Sequence, residues 1–372
     1  MFDLQEYLCM LFMYSTMEVS MIYCACGYCG TGSSVIYHLL SEYDGIESGD
    51  LGDYEHVLMY THNGVFDLED HMLRNNGWHN FDAAIMAFRE EMMRLNDNDF
   101  KWFGGFKARY GNQFETILNE YINNLTQYTL HGYWSYDMKG YKFDSVQFAK
   151  DMVRKAQGKE RPNPGIVIDR AKDNDIYYSF LSEEEFYKYS SEFVNKYLKM
   201  MYGEAEKINV NQFLVPHNLF RIGNYFGNNL KSVIVDRDPR DLYIITKYVW
   251  PTKGIRTRFP MNVDDFCTFY EGMRKTVRPY DPNLVITMQF EDFVYKYDET
   301  VAKVEEFFGL DPMDHTRPKT HLNPAVSIAN TQNFLIRPEW EEEVKPIAER
   351  LSQYLYDYPY VYKPDLKDTK FL

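Results

Sequence analysis

Between Lys231 and Asp241 the chain reads Lys-Ser-Val-Ile-Val-Asp-Arg-Asp-Pro-Arg-Asp, a short apolar run that breaks off into charges. Arg237 and Arg240 are the residues there that suit an anion, because a planar guanidinium grips phosphate oxygens in pairs. A second segment, Gly27-Tyr-Cys-Gly-Thr-Gly-Ser33-Ser34, is a glycine loop whose backbone N–H groups can cradle the same kind of group ahead of a helix N-terminus.

These residues need a scaffold, and the surrounding pattern supplies one. Residues 232–235 are too short a run for a helix, are β-branched and do not alternate with polar residues, which reads as a strand covered on both faces. The charges that follow then lie at its C-terminal end, where open α/β sheets bind ligands. Pro239 suits the first turn of a helix, with Asp238 as its cap and Asp241 near its positive end. Residues 21–26 read as the first strand, and residues 33–43 place Val35, Ile36, Leu39 and Leu40 at helical spacing. Residues 164–169, 212–215 and 284–288 are further strand-like runs. Helical stretches stand at 182–201, which opens on a Ser182-Glu-Glu-Glu185 capping box, and at 298–308 and 338–356. This alternation predicts an α/β fold, a mostly parallel β-sheet flanked by helices and P-loop nucleotide-binding-like. Residues 1–20 read as an extension and 21–372 as one α/β domain. Residues from about 65 to 160, rich in Asn, Tyr, Phe and Trp with a helical patch at 81–95, read as an insertion over the sheet that carries acceptor specificity.

Composition narrows the partners. With 40 basic against 55 acidic residues the net charge is −15, which disfavours nucleic acid and anionic membranes and makes basic residues beside a pocket conspicuous. No apolar run approaches the roughly 18 residues of a spanning helix, and the N-terminus lacks a basic leader, so a cytoplasmic protein without a membrane span is expected. Of the five cysteines, three crowd into Cys24-Ala-Cys26-Gly-Tyr-Cys29. No fourth ligand lies near them in sequence, so Cys24 and Cys26 read as small apolar strand residues and no metal is expected.

The glycine loop nearly matches the nucleotide-hydrolase pattern, but Ser33 occupies the place of the lysine that reaches the β- and γ-phosphates, which disfavours ATP hydrolysis. A nucleotide-dependent kinase, with Asp236 toward magnesium, is one alternative. A non-catalytic nucleotide- or glycan-binding protein is another.

In these motifs the chain resembles the sulfotransferases that use 3′-phosphoadenosine 5′-phosphosulfate. Gly30-Thr31-Gly32-Ser33-Ser34 is similar to the family's loop at the start of helix one, and Val235-Asp-Arg237-Asp-Pro-Arg-Asp241 to its strand followed by Arg-x-Pro-Arg-Asp. Gln289-Phe-Glu-Asp292 through Phe307-Phe-Gly-Leu-Asp-Pro312 resembles its Tyr-Glu-Asp to Phe-Leu-Gly-Leu segment, and Ser327-Ile-Ala-Asn330-Thr331 its nucleotide-closing segment. The likeness spans residues 21–40 and 211–335. It implies that Gly30, Thr31, Gly32, Ser33 and Ser34 bind the 5′-phosphosulfate, that Arg237 binds the 3′-phosphate, and that His217 is the base. The acceptor implied is a small molecule or a glycan, read here as a hydroxyl of a glycan or lipid-linked sugar. Two positions depart from the family. Its loop Lys or Arg falls on Gly30, for which Arg170, Arg221 and Lys247 are the candidate substitutes. Its serine on the 3′-phosphate falls on Ile245, with Thr246 one place, about 100° of helix, further on.

Overall fold

The structure is a computed structural model that describes residues 20–49, 54–75, 77–99, 102–170, 173–256, 258–365 and 367. The expected extension at 1–20 lies, but for Ser20, outside them. Among the described residues the strands are β1 (Met21–Gly27), β2 (Tyr128–Gly132), β3 (Met138–Phe143), β4 (Ile166–Arg170), β5 (Asn174–Tyr178), β6 (Lys207–Asn211), β7 (Leu230–Asp236) and β8 (Val285–Gln289).

Four strands form one parallel sheet in the order β6-β1-β7-β8. Its period-two alternation divides the side chains between two cores. Ile22, Cys24, Cys26, Leu230 and Ile234 face one cluster, whereas Tyr23, Ala25, Val233 and Val235 face the other. Helices Trp78–Asp97, Gln113–Leu125 and Glu183–Tyr202 cover the first face; Ser34–Leu40 and Tyr297–Phe308 cover the second. Each fully buried Val or Ile contributes about 1.5–3 kcal/mol by leaving water, so a doubly covered sheet is a rigid base for whatever stands at its edge. Cys24 and Cys26 are packing residues, as their size suggested.

Helix Glu183–Tyr202 starts where the capping box does: Ser182 N–H donates to Glu185 Oε2 at 2.9 Å, and Glu185 N–H donates to Ser182 Oγ at 3.2 Å. Other elements differ from the sequence pattern. Residues 164–169 do contain a strand, β4, but it pairs antiparallel with β3 outside the parallel sheet. The strand expected at 212–215 lies earlier, as β6, because Asn209 occupies a fully buried position by donating to Tyr37 O at 2.8 Å and Ser48 Oγ at 3.0 Å. A polar residue whose amide nitrogen is bonded in this way breaks the apolar pattern without breaking the strand. The stretch at 338–356 is two short helices, Pro338–Glu343 and Lys345–Arg350, followed by a turn.

The segment at 65–160 divides in two. Its first half is core: Ile85, Phe88, Met92, Phe114 and Leu118 are fully buried against the sheet. From residue 128 the chain instead builds two small antiparallel pairs, β2 with β5 and β3 with β4, and the helix Ser145–Ala156. Every residue of β3 is exposed. Among the described residues no helix is long and apolar enough to cross a membrane.

Candidate functional site

Because the four strands run parallel, their C-terminal ends Gly27, Asn211, Asp236 and Gln289 lie along one edge. A cavity of about 600 Å³ opens there, lined by the glycine loop, Arg237 and residues from distant segments.

The loop folds over its own threonine. Thr31, 1% exposed, accepts from Tyr28 N–H through Oγ1 at 3.2 Å, which turns the hydroxyl inward and leaves the loop's outer face to the cavity. Gly30 and Gly32 take φ of 74° and 86°, a left-handed region that costs a residue with a Cβ. Both are also sterically closed: a Cβ on Gly30 would lie 2.8 Å from Cη2 of Trp250, and one on Gly32 would lie 2.7 Å from Cδ2 of Phe290. Ser33 Oγ accepts from Gln212 Nε2 at 2.5 Å. Ser34 and His38, one helical turn apart, both line the cavity.

Arg237 leaves β7 directly into the wall and is 1% exposed. Its guanidinium donates to Gly30 O at 3.4 Å and to Asn330 O, and stacks 4.7 Å from the centre of the Phe290 ring. The adjoining carboxylates Asp238, Asp241 and Glu291 are fully buried. Burial pushes Asp241 up to about 6 while Arg237 pulls it down. Glu291 is pushed up to about 8, by burial first and then by Asp238.

The structure therefore brings together Gly30, Gly32, Ser33, Ser34 and Arg237, with Thr31 behind them as the loop's internal brace. Arg240 is spent on structure: it pairs with Asp238 through Nε at 3.0 Å and a terminal nitrogen at 2.6 Å, and lies over Phe334. Asp236 receives Arg237 N–H at 2.8 Å and Arg274 at 2.6 Å, which occupies the carboxylate a magnesium-dependent kinase would use.

Like Thr31 and Arg240, the expected residues His217 and Thr246 do not line the cavity. His217 sits in the 3₁₀ turn Pro216–Arg221; its Nε2 is 3.0 Å from Met273 O, and its ring meets Tyr28 edge-on. Thr246 is buried and returns its hydroxyl to its own helix, donating toward Leu242 O at 2.8 Å and Tyr243 O at 3.1 Å. Nor does any candidate for the missing loop cation reach the site. Arg170 pairs with Asp173 at 2.7 Å, Arg221 with Glu69 at 2.5 Å and Asp70 at 2.8 Å, and Lys247 with Glu343.

Other cavity residues escape a reading of the sequence. Glu55 and Trp102 are joined by tertiary pairing, through a bridge between Glu55 and Asn211 and a bond from Glu55 N–H to Trp102 O at 2.9 Å, so no local motif marks them. Tyr60 lines the same wall. Burial pushes the Cys29 thiol and the Tyr60 hydroxyl up, and the Glu55 carboxylate adds to both rises. Arg258 had a signal: Lys253-Gly-Ile-Arg256-Thr-Arg258 holds three cations in six residues of a chain with net charge −15. His321 enters from a segment fastened to the fully buried Glu42, which accepts from His321 N–H at 2.7 Å, Leu322 N–H at 2.8 Å and Lys319 N–H at 3.0 Å, with His315 Nε2 at 2.8 Å.

No family model and no curated protein matches the chain. Among solved structures, the crystal structure of the sulfotransferase STF1 from Mycobacterium tuberculosis H37Rv matches at a TM-score of 0.32 and 11% identity, covering 94% of this chain and 80% of that one. A superposition that loose sets no residue of one protein against a residue of the other.

Proposed function

We propose that this chain is a sulfotransferase that carries the sulfuryl group of 3′-phosphoadenosine 5′-phosphosulfate to a hydroxyl of a glycan or lipid-linked sugar. The observation that carries the reading is Arg237: a cation 1% exposed, on a cavity wall at the C-terminal edge of a parallel sheet, 3.4 Å from the carbonyl of a glycine loop. A guanidinium held that far from water favours an anionic ligand, and its paired donors suit a phosphate. The nucleotide offers an anion at each end, one for Arg237 and one for the loop. Backbone N–H groups from Thr31 to Ser34 take the 5′-phosphosulfate, and Arg237 takes the 3′-phosphate. Ser327 and Asn330, on the same wall, stand in for the polar ligand that Ile245 and Thr246 do not supply.

In the reaction the acceptor oxygen attacks sulfur. The bond from sulfur to the bridging phosphate oxygen breaks with its electron pair staying on phosphate, and the hydroxyl proton passes to a base. We assign that base to Glu55 in place of His217, because Glu55 shares the cavity wall with Tyr60 and Trp102, rings on which a sugar stacks.

The test is ligand-induced stabilisation. Adenosine 3′,5′-bisphosphate at about 100 times its Kd adds roughly 2.7 kcal/mol to unfolding, and transfer of labelled sulfate follows in an acceptor screen. Stabilisation by ATP with Mg²⁺ but not by the bisphosphate would sink the reading.

A further inference from the structure

We infer that Arg258 is the cation on the leaving phosphate, delivered to the glycine loop by the segment after β7 rather than by the loop itself; this rests on the nucleotide reading of the cavity. As the sulfur–oxygen bond breaks, negative charge collects on the bridging oxygen, and a cation fixed beside it lowers the barrier more than one that must be recruited. The loop cannot provide it. At Gly30 a side chain would meet Trp250 Cη2 at 2.8 Å, Trp250 Cζ2 at 3.0 Å and Leu242 Cδ1 at 3.1 Å, on a backbone with φ of 74°.

The segment that closes this position also carries its replacement. Trp250, Ile255 and Arg258 all line the cavity. The 3₁₀ turn Trp250–Lys253 ends at Gly254 with φ of 74°, and Ile255 N–H donates back to Trp250 O at 3.0 Å, so the chain reverses over the indole. Arg258 thereby returns to the loop, its terminal nitrogen 3.9 Å from Sγ of Cys29, the residue before Gly30. Arg237 meets the loop at the Gly30 carbonyl and continues to Asn330. Among the described residues that line the cavity, these two arginines alone carry a permanent positive charge. Arg237 so reaches from the loop toward Asn330, while Arg258 stays at the loop, where the leaving phosphate is proposed to sit.

The experiment compares adenosine 3′,5′-bisphosphate, adenosine 5′-monophosphate and adenosine 3′-monophosphate, by calorimetry, on the parent chain and on Arg258→Ala. It also follows sulfate release from 3′-phosphoadenosine 5′-phosphosulfate with water as acceptor. Arg258 is exposed, so its removal leaves the fold standing, and the unliganded Tm verifies this. The expected result is binding of the bisphosphate and the 5′-monophosphate weakened at least tenfold, unchanged binding of the 3′-monophosphate, and sulfate release at saturation slowed about 10²-fold or more, the scale of losing one charge-stabilising donor. Arg258→Lys keeps part of the rate. Equal weakening for all three ligands, or sulfate release at the parent rate, overturns the assignment. A parent that binds none of the three overturns the nucleotide reading and Arg258's role with it.

Discussion

Trp250 lies across Gly30, so that a Cβ on the glycine would come within 2.8 Å of Cη2 of the indole. Loop and indole are therefore fitted to each other, which leaves no room for a side chain at position 30. Gly30→Ala is expected to cost about 1–3 kcal/mol from left-handed strain and the clash together. Adding Trp250→Ala should recover the clash and leave the strain. A double-mutant cycle by chemical denaturation checks this; strictly additive losses would mean that the indole moves aside at no cost.

Arg237→Ala is expected to abolish stabilisation by adenosine 3′,5′-bisphosphate, since hydrogen bonds to a charged group are worth about 1.5–3 kcal/mol and a bidentate contact supplies two. Arg237→Lys should restore little, because an ammonium cannot reproduce the fork. Thermal shift across a ligand titration reads both variants. Parent-like stabilisation in the alanine variant would remove Arg237 from the site.

Glu55→Gln and His217→Ala separate the two candidate bases. Glu55→Gln should keep bisphosphate binding and lose sulfuryl transfer by about 10²–10⁴-fold, the usual share of a general base. His217→Ala should keep transfer and lose about 1 kcal/mol of stability with its hydrogen bond to Met273 O. The opposite pattern would return the role to the histidine.

Burial holds Glu291 at about 8 against an ordinary 4.5, with Asp238 and Asp241 adding to the rise and Arg237 opposing it. Between those values the folded chain keeps a proton that the unfolded chain has released, so stability falls as pH rises from about 4.5 to about 8. Asp241 acts in the same direction between 3.8 and about 6. Glu291→Gln stays neutral throughout, and its denaturation free energy should decline less than the parent's over the upper window from about 6 to about 8. Parallel curves there would mean that Glu291 is ionised in the folded chain.

The sequence alone determined whatever depends on near neighbours along the chain. The uninterrupted Val-Ile-Val run before Arg237 can be satisfied only in a doubly covered strand, and its charged end must then lie at the sheet's edge. The glycines from 27 to 32 likewise marked a loop ahead of a helix, and the structure gives Gly30 and Gly32 their left-handed φ. Tertiary structure alone decided which side chains meet. Asn209 hid an edge strand of the parallel sheet because its amide nitrogen donates to Tyr37 and Ser48, far off in sequence. The resemblance pointed to His217, yet a carbonyl from another helix holds its ring. Glu55, Trp102 and Arg258 reach the cavity through a bridge, a backbone bond and a chain reversal, none of which leaves a periodic trace. Periodicity records which face of an element is covered, but the partner on that face is fixed only when distant segments pack together.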